Sequence, residues 1–176
     1  SNYQESIGMK SINLIYFRPA SSTKRVMRII KEAVNTPVIE YDITQGVSDD
    51  IHFYAADLVF FGVPVSAGRV PAIAIEALNK IQGKDTTAVA VCVYGNRDYD
   101  DALLELKDLC RDNGFNVIAG AAFIARHSIF PQVAENRPDK QDEQLIADFA
   151  RQCMEEAQTH KGTETNLQVR GNHPYR

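Results

Sequence analysis

Three short stretches of the 176-residue chain bring together residue types that could grip a planar, anionic molecule. The first, FRPASST (17–23), follows an apolar run and opens a helical pattern. Free N–H groups at a helix start bind anions. Ser21, Ser22 and Thr23 add hydroxyl donors, and Arg18, Lys24 and Arg25 add positive charge. Lys24 and Arg25 stand in the first helical turn, where the macrodipole disfavours cations and a bound anion would relieve the conflict. The alternative is a plain cap, with Ser21 or Ser22 closing the helix and the cations facing water. The second stretch, GVPVSAGRVPA (62–72), holds Pro64, Val65, Ser66, Ala67 and Gly68. Gly68 could let backbone approach a ligand, and Arg69 could offer a planar donor fork; otherwise this is a turn that redirects the chain. The third, YGNRDYDD (94–101), sets Tyr94 and Tyr99 around a Gly95-Asn96 turn followed by Arg97. An aromatic here could stack on a ring. Asp98, Asp100 and Asp101 read first as caps and dipole partners of the next helix.

Those stretches sit where a particular architecture would need them. Ser11 to Phe17, Leu58 to Val65, Ala88 to Tyr94 and Val117 to Ala125 are nearly continuous in apolar residues, the pattern of strands buried on both faces. Pro37 to Asp42 fits an edge strand. Between them, apolar positions repeat at helical spacing: Val26, Ile29, Ile30 and Ala33; Ala74, Leu78 and Ile81; Leu103, Leu106 and Cys110; Leu145, Phe149 and Cys153. Strand-helix alternation predicts an α/β, doubly wound, five-stranded parallel sheet with right-handed crossovers. Ligands of such sheets bind beyond the carboxyl ends of the strands, where all three stretches fall.

Composition narrows the function further. With 44% apolar residues the chain can bury one substantial core. The expected organisation is an extension over 1–8, one domain over 9–158 and a polar tail or linker over 159–176. A net charge of −4 without a basic block argues against a nucleic-acid partner. No apolar run reaches the roughly 18 residues of a membrane span. The three cysteines, Cys92, Cys110 and Cys153, lie in apolar patterns, as reduced core thiols do, so a cytoplasmic location is expected. There is no Walker lysine, no G-x-G-x-x-G and no C-x-x-C. His127 and Ser128 have no carboxylate spaced to complete a nucleophilic triad.

At these same residues the chain resembles a known family. "INLIYF", the "STK" turn, "FGVPV", "AGRVPA", "VYGNRDYDDALLELKDL", "GFNVIAGAAFIARHSI" and "RPDKQD" are similar to the flavodoxin-like domain that precedes a two-cluster ferredoxin module in many anaerobes. "GNHPYR" resembles the junction to that module, whose cluster cysteines are absent here. The resemblance implies the sheet order 2-1-3-4-5, FMN as cofactor and electron transfer as role, with a ferredoxin-type or other redox partner. It matches Ser22 and Thr23 to hydroxyls of the family's phosphate turn. Tyr94, Gly95, Asn96, Arg97 and Tyr99 match the loop bordering the flavin ring. Four positions depart: Arg18 and Ala20 replace hydroxyl residues, Ser21 replaces glycine, and Ser66 stands where tyrosine is common. Two other functions stay open: a flavodoxin fold that has lost FMN and serves in interaction or regulation, which Ala20, Ser21 and Ser66 favour, and an NAD(P)H-dependent flavin or quinone reductase.

Overall fold

The computed structural model describes residues 10–95, 98–126, 136–159 and 167–175. Five parallel strands form one sheet: β1 (Ser11–Tyr16), β2 (Val38–Asp42), β4 (Asp57–Pro64), β6 (Thr86–Tyr94) and β7 (Phe115–Ile124). Their order is β2-β1-β4-β6-β7, which is 2-1-3-4-5 when only these strands are counted. The remaining two, β3 (Ile51–Phe53) and β5 (Ile81–Gly83), pair as a parallel ribbon that the sequence pattern did not reveal.

Helices α1 (Ser21–Val34) and α4 (Lys140–Thr159) cover one face of the sheet, where Val26, Met27, Ile30, Ile146, Ala150 and Cys153 pack with Leu14, Phe60 and Val91. Helices α2 (Ala72–Leu78) and α3 (Ala102–Asp112) cover the other, where Ala74, Leu78, Leu103, Leu106 and Cys110 meet Ile15, Phe61 and Cys92. The central strands β1, β4 and β6 are buried on both faces, as their unbroken apolar runs require. All three cysteines are buried and unpaired.

Three details differ from the periodicity. Ile81 belongs to β5, because α2 ends at Leu78 and is capped at Asn79. Leu145 is 63% exposed, and the buried stripe of α4 runs through Ile146, Ala150, Cys153 and Ala157, so it keeps Cys153 but replaces Leu145 and Phe149 by their next neighbours. From Ile118 to Ile124, β7 is half-buried, because it pairs with β6 on one side only among the described residues.

Candidate functional site

The carboxyl ends of β1, β4 and β6 each lead into one of the three stretches singled out above. After β1, Arg18 turns away from the helix start. Its Nε donates to the Asp42 carboxylate at 2.7 Å, and its backbone N–H donates to the Thr44 hydroxyl at 2.9 Å. Burial opposes ionisation of Asp42, yet the hydrogen bonds from Thr44 and Arg18 outweigh it and hold this carboxyl below its ordinary range. Arg25 also faces elsewhere, donating to the Pro138 carbonyl at 2.9 Å and standing 3.8 Å from Glu143.

The N-cap of α1 is Ala20, no side chain among the described residues caps the helix, and its first turn holds no acid. Ser21 is exposed and Ser22 half-buried. Thr23 is fully buried, and among the described residues its hydroxyl has no hydrogen-bond partner. Buried polar groups are almost always paired, so an orphan hydroxyl beside uncapped N–H groups is suited to an acceptor from outside the chain.

After β4, Pro64 closes the strand and Val65 donates its N–H to the Val93 carbonyl at 2.9 Å. Ser66 and Arg69 then exchange both backbone hydrogen bonds, at 2.9 and 3.0 Å, around Ala67 and Gly68. Both central residues have positive φ, 50° and 79°, as in a tight type I′ hairpin. For Ala67 that conformation costs roughly 1–2 kcal/mol. Gly68 is required for a second reason: a Cβ there would stand 2.6 Å from an Asp100 carboxylate oxygen.

Arg69 is not a donor fork facing solvent. It grips Glu105 on α3 with two hydrogen bonds, Nε at 2.9 Å and Nη2 at 2.6 Å, while the Val70 N–H donates to the same carboxylate at 2.8 Å. Glu105 is 4% exposed, one of three buried acids on α3 and its cap, Asp101, Glu105 and Asp108. Their i, i+4, i+7 spacing puts them on one helix face.

After β6, Tyr94 and Gly95 border a cavity of about 390 Å³ whose other lining residues are Val65, Ala67, Gly68, Asp98 and Asp100. The Tyr94 and Tyr99 ring centroids are 5.6 Å apart, with planes tilted 49°. Asn96 and Arg97 lie outside the described residues, as do His127 and Ser128. Asp98 does not cap α3; it accepts from the Tyr99 N–H at 2.9 Å and pairs with Arg170. The Arg170 hydrogen bond holds its carboxyl below the usual range.

The structure thus brings Val65, Ala67, Gly68, Tyr94 and Gly95 to one cavity, with Tyr99 against Tyr94. Ser21, Ser22 and Thr23 lie at the end of the neighbouring strand β1, and Arg18 is tied to Asp42. Sequence reasoning missed Asp98 and Asp100 as lining residues and missed Arg170. The acids look like ordinary first-turn residues, and no local signal links position 170 to 98. Among the described residues, no cluster of His, Cys, Asp or Glu is arranged to hold a metal ion.

The order of the five strands and the placement of the helices define a flavodoxin-like α/β domain. No family model matches the chain, and no curated protein matches it. Solved structures do. The chain is similar to oxidised flavodoxin 2 from Bacillus cereus, with TM-score 0.63, 14% identity, and coverage of 83% of this chain and 99% of that one. It is similar to the Fusobacterium nucleatum flavodoxin bound to flavin mononucleotide, with TM-score 0.59, 12% identity, and coverage of 84% and 99%. A WrbA-like flavodoxin from Agrobacterium tumefaciens aligns with TM-score 0.58 and 15% identity over 86% and 99%. At these identities the likeness establishes the fold.

Proposed function

We propose that this domain binds FMN at the carboxyl ends of β1, β4 and β6 and serves in electron transfer. The observation that carries the reading is the buried Thr23 hydroxyl, without a partner among the described residues, in the first turn of a helix that no described side chain caps. An anion at this position would accept from the free N–H groups of α1 and from Thr23, and would balance Lys24. Next to it, Tyr94, Val65 and Gly68 offer the mix of apolar wall and close backbone that a planar ring needs. Of the similar structures, the Fusobacterium protein is described as FMN-bound, which supports the same ligand here.

Bound FMN would supply one- and two-electron redox chemistry. The chain's own part is to orient and shield. Ser22 and Thr23 hold the phosphate, Tyr94 covers the ring, and Asp98 and Asp100 place negative charge at the cavity wall. Negative charge beside a flavin disfavours adding electrons to it and so lowers its potential. No side chain is asked to act as nucleophile or proton donor.

A visible-spectrum titration tests this. FMN is expected to bind more tightly than riboflavin, by roughly tenfold or more, the value of one charge-assisted hydrogen bond set. Equal affinity for the two would remove the phosphate turn from the site. Absence of binding by either would favour the second reading, an interaction module on a flavodoxin-like fold, which the Arg18–Asp42 pair and the alanine at position 20 support.

A further inference from the structure

We infer that residues 167–175 act as a strap that positions the Tyr94–Tyr99 pair beside the cavity, with Arg170 as the residue that transmits its hold to Tyr99. The strap docks on α3 and its cap. Lys107 donates to the Leu167 carbonyl at 2.8 Å, and Leu167 and Val169 pack against the core. The Asn172 N–H donates to Asp101 at 2.8 Å. His173 and Tyr175 both reach the Asp108 carboxylate at 2.6 Å, and the Tyr175 ring lies 4.7 Å beneath the Arg69 guanidinium. At Gly171 the backbone is so close that a Cβ would stand 2.6 Å from Leu104 Cβ and 3.0 Å from its Cδ2. The buried acidic face of α3 is therefore the docking strip for this segment.

At the near end of the strap, Arg170 pairs with Asp98 and lays its guanidinium 4.0 Å over the Tyr99 ring. Asp98 and Asp100 are shared between two spaces. They line the 390 Å³ cavity and also a second space of about 290 Å³ lined by Asp101, Arg170, Gly171 and Asn172. Tyr99, under the Arg170 guanidinium, stands against the cavity-lining Tyr94, and the Asp101 N–H ties this loop to the hairpin through the Gly68 carbonyl at 3.1 Å. Arg170 makes no contact with the cavity; it is a positioning residue.

This inference rests on the flavin reading only for its ligand arm, so the test has two arms. In the ligand-free full chain, hydrogen exchange is followed at the Tyr99, Asp101 and Ala102 amides, which are bonded to Asp98, Gly68 and Tyr99 respectively. Arg170→Ala is expected to speed exchange there several-fold while amides of β1 and β4 and the melting temperature stay put. Arg170→Lys, which keeps the charge but not the planar cover, should fall between. In the second arm, Arg170→Ala weakens FMN and riboflavin by one common factor, roughly twofold to fivefold, the scale of an exposed cation–π contact. Unchanged exchange at the three amides overturns the strap. A loss confined to FMN overturns it as well, because Arg170 would then act on the phosphate. If the wild type binds neither flavin, the functional reading fails and the exchange arm alone decides the strap.

Discussion

Thr23 is a residue whose cost and use have opposite signs. A buried hydroxyl without a partner, as Thr23 is among the described residues, destabilises the ligand-free fold by about 1–3 kcal/mol. Replacing it with the similarly shaped valine should therefore raise ligand-free stability by about 0.5–2 kcal/mol in a denaturant melt. The same variant should lose roughly tenfold or more in FMN affinity. A variant that is both less stable and equally avid would show that the hydroxyl has a role inside the fold. The residue types of this turn were legible in the sequence, since hydroxyls after an apolar run mark a helix start. Which of the cations is spent elsewhere was not. Arg18 finds Asp42 and Arg25 finds Pro138, partners 24 and 113 residues away that only the assembled sheet brings near.

Among the elements, α3 does two jobs with one helix. Leu103, Leu106 and Cys110 face the sheet, while Asp101, Glu105 and Asp108 form a second buried stripe that holds the hairpin and the strap. Apolar periodicity exposes the first stripe. The second reads as solvent-facing acid until its partners are known, because burial of a carboxylate depends on what comes to cover it. The Arg69–Glu105 pair is the test. Truncating the arginine strands a buried carboxylate, a loss of 3–5 kcal/mol in a fully buried pair. Here the arginine side chain is 37% exposed, so Arg69→Met should cost about 1–3 kcal/mol. Glu105→Gln, which still accepts from the Val70 N–H, should cost less. If Arg69→Met melts like the wild type, the hairpin does not depend on α3.

For the molecule as a whole, ionisable groups set a stability plateau with two falling edges. Asp142 is held down at about 2, its hydrogen bonds from Arg137 outweighing burial, against an ordinary value of 3.8. A depressed carboxyl stabilises the fold above its unfolded pKa and loses that contribution as pH falls from about 4 towards 2. Burial pushes the Cys153 thiol up to about 12 and raises Cys92 and Cys110 too. A raised thiol stabilises the fold fully below its unfolded pKa near 9 and loses that contribution as pH climbs towards the folded value. Melting temperature should thus be flat between about pH 5 and 8 and fall on both sides. Asp142→Asn should take about 1–2 kcal/mol out of the acid edge, and Cys153→Ala should soften the alkaline one. Overlapping acid edges for wild type and Asp142→Asn would remove that pair from the account. The five buried strands and the alternating helices were legible because long apolar runs fix buried strands, whereas the strand order came only from the family resemblance. The β3–β5 ribbon was not, since three-residue strands carry too little pattern to separate from a loop.

That ribbon has a consequence for how the protein can change. It sits just before the amino ends of β4 and β6, where the Gly83 N–H donates to the Asn113 carbonyl at 2.8 Å and the Lys84 N–H to the Phe53 carbonyl at 3.1 Å. The amino end of the sheet is thus fastened by backbone, and the carboxyl end carries the loops that line the cavity. Drift in side-chain identity is cheap where backbone does the fastening, because those bonds survive most substitutions. A lineage could therefore rewrite Ser66–Ala67 and the 98–100 loop for a different ligand while the opposite end of the molecule, unaltered, kept the chain folding.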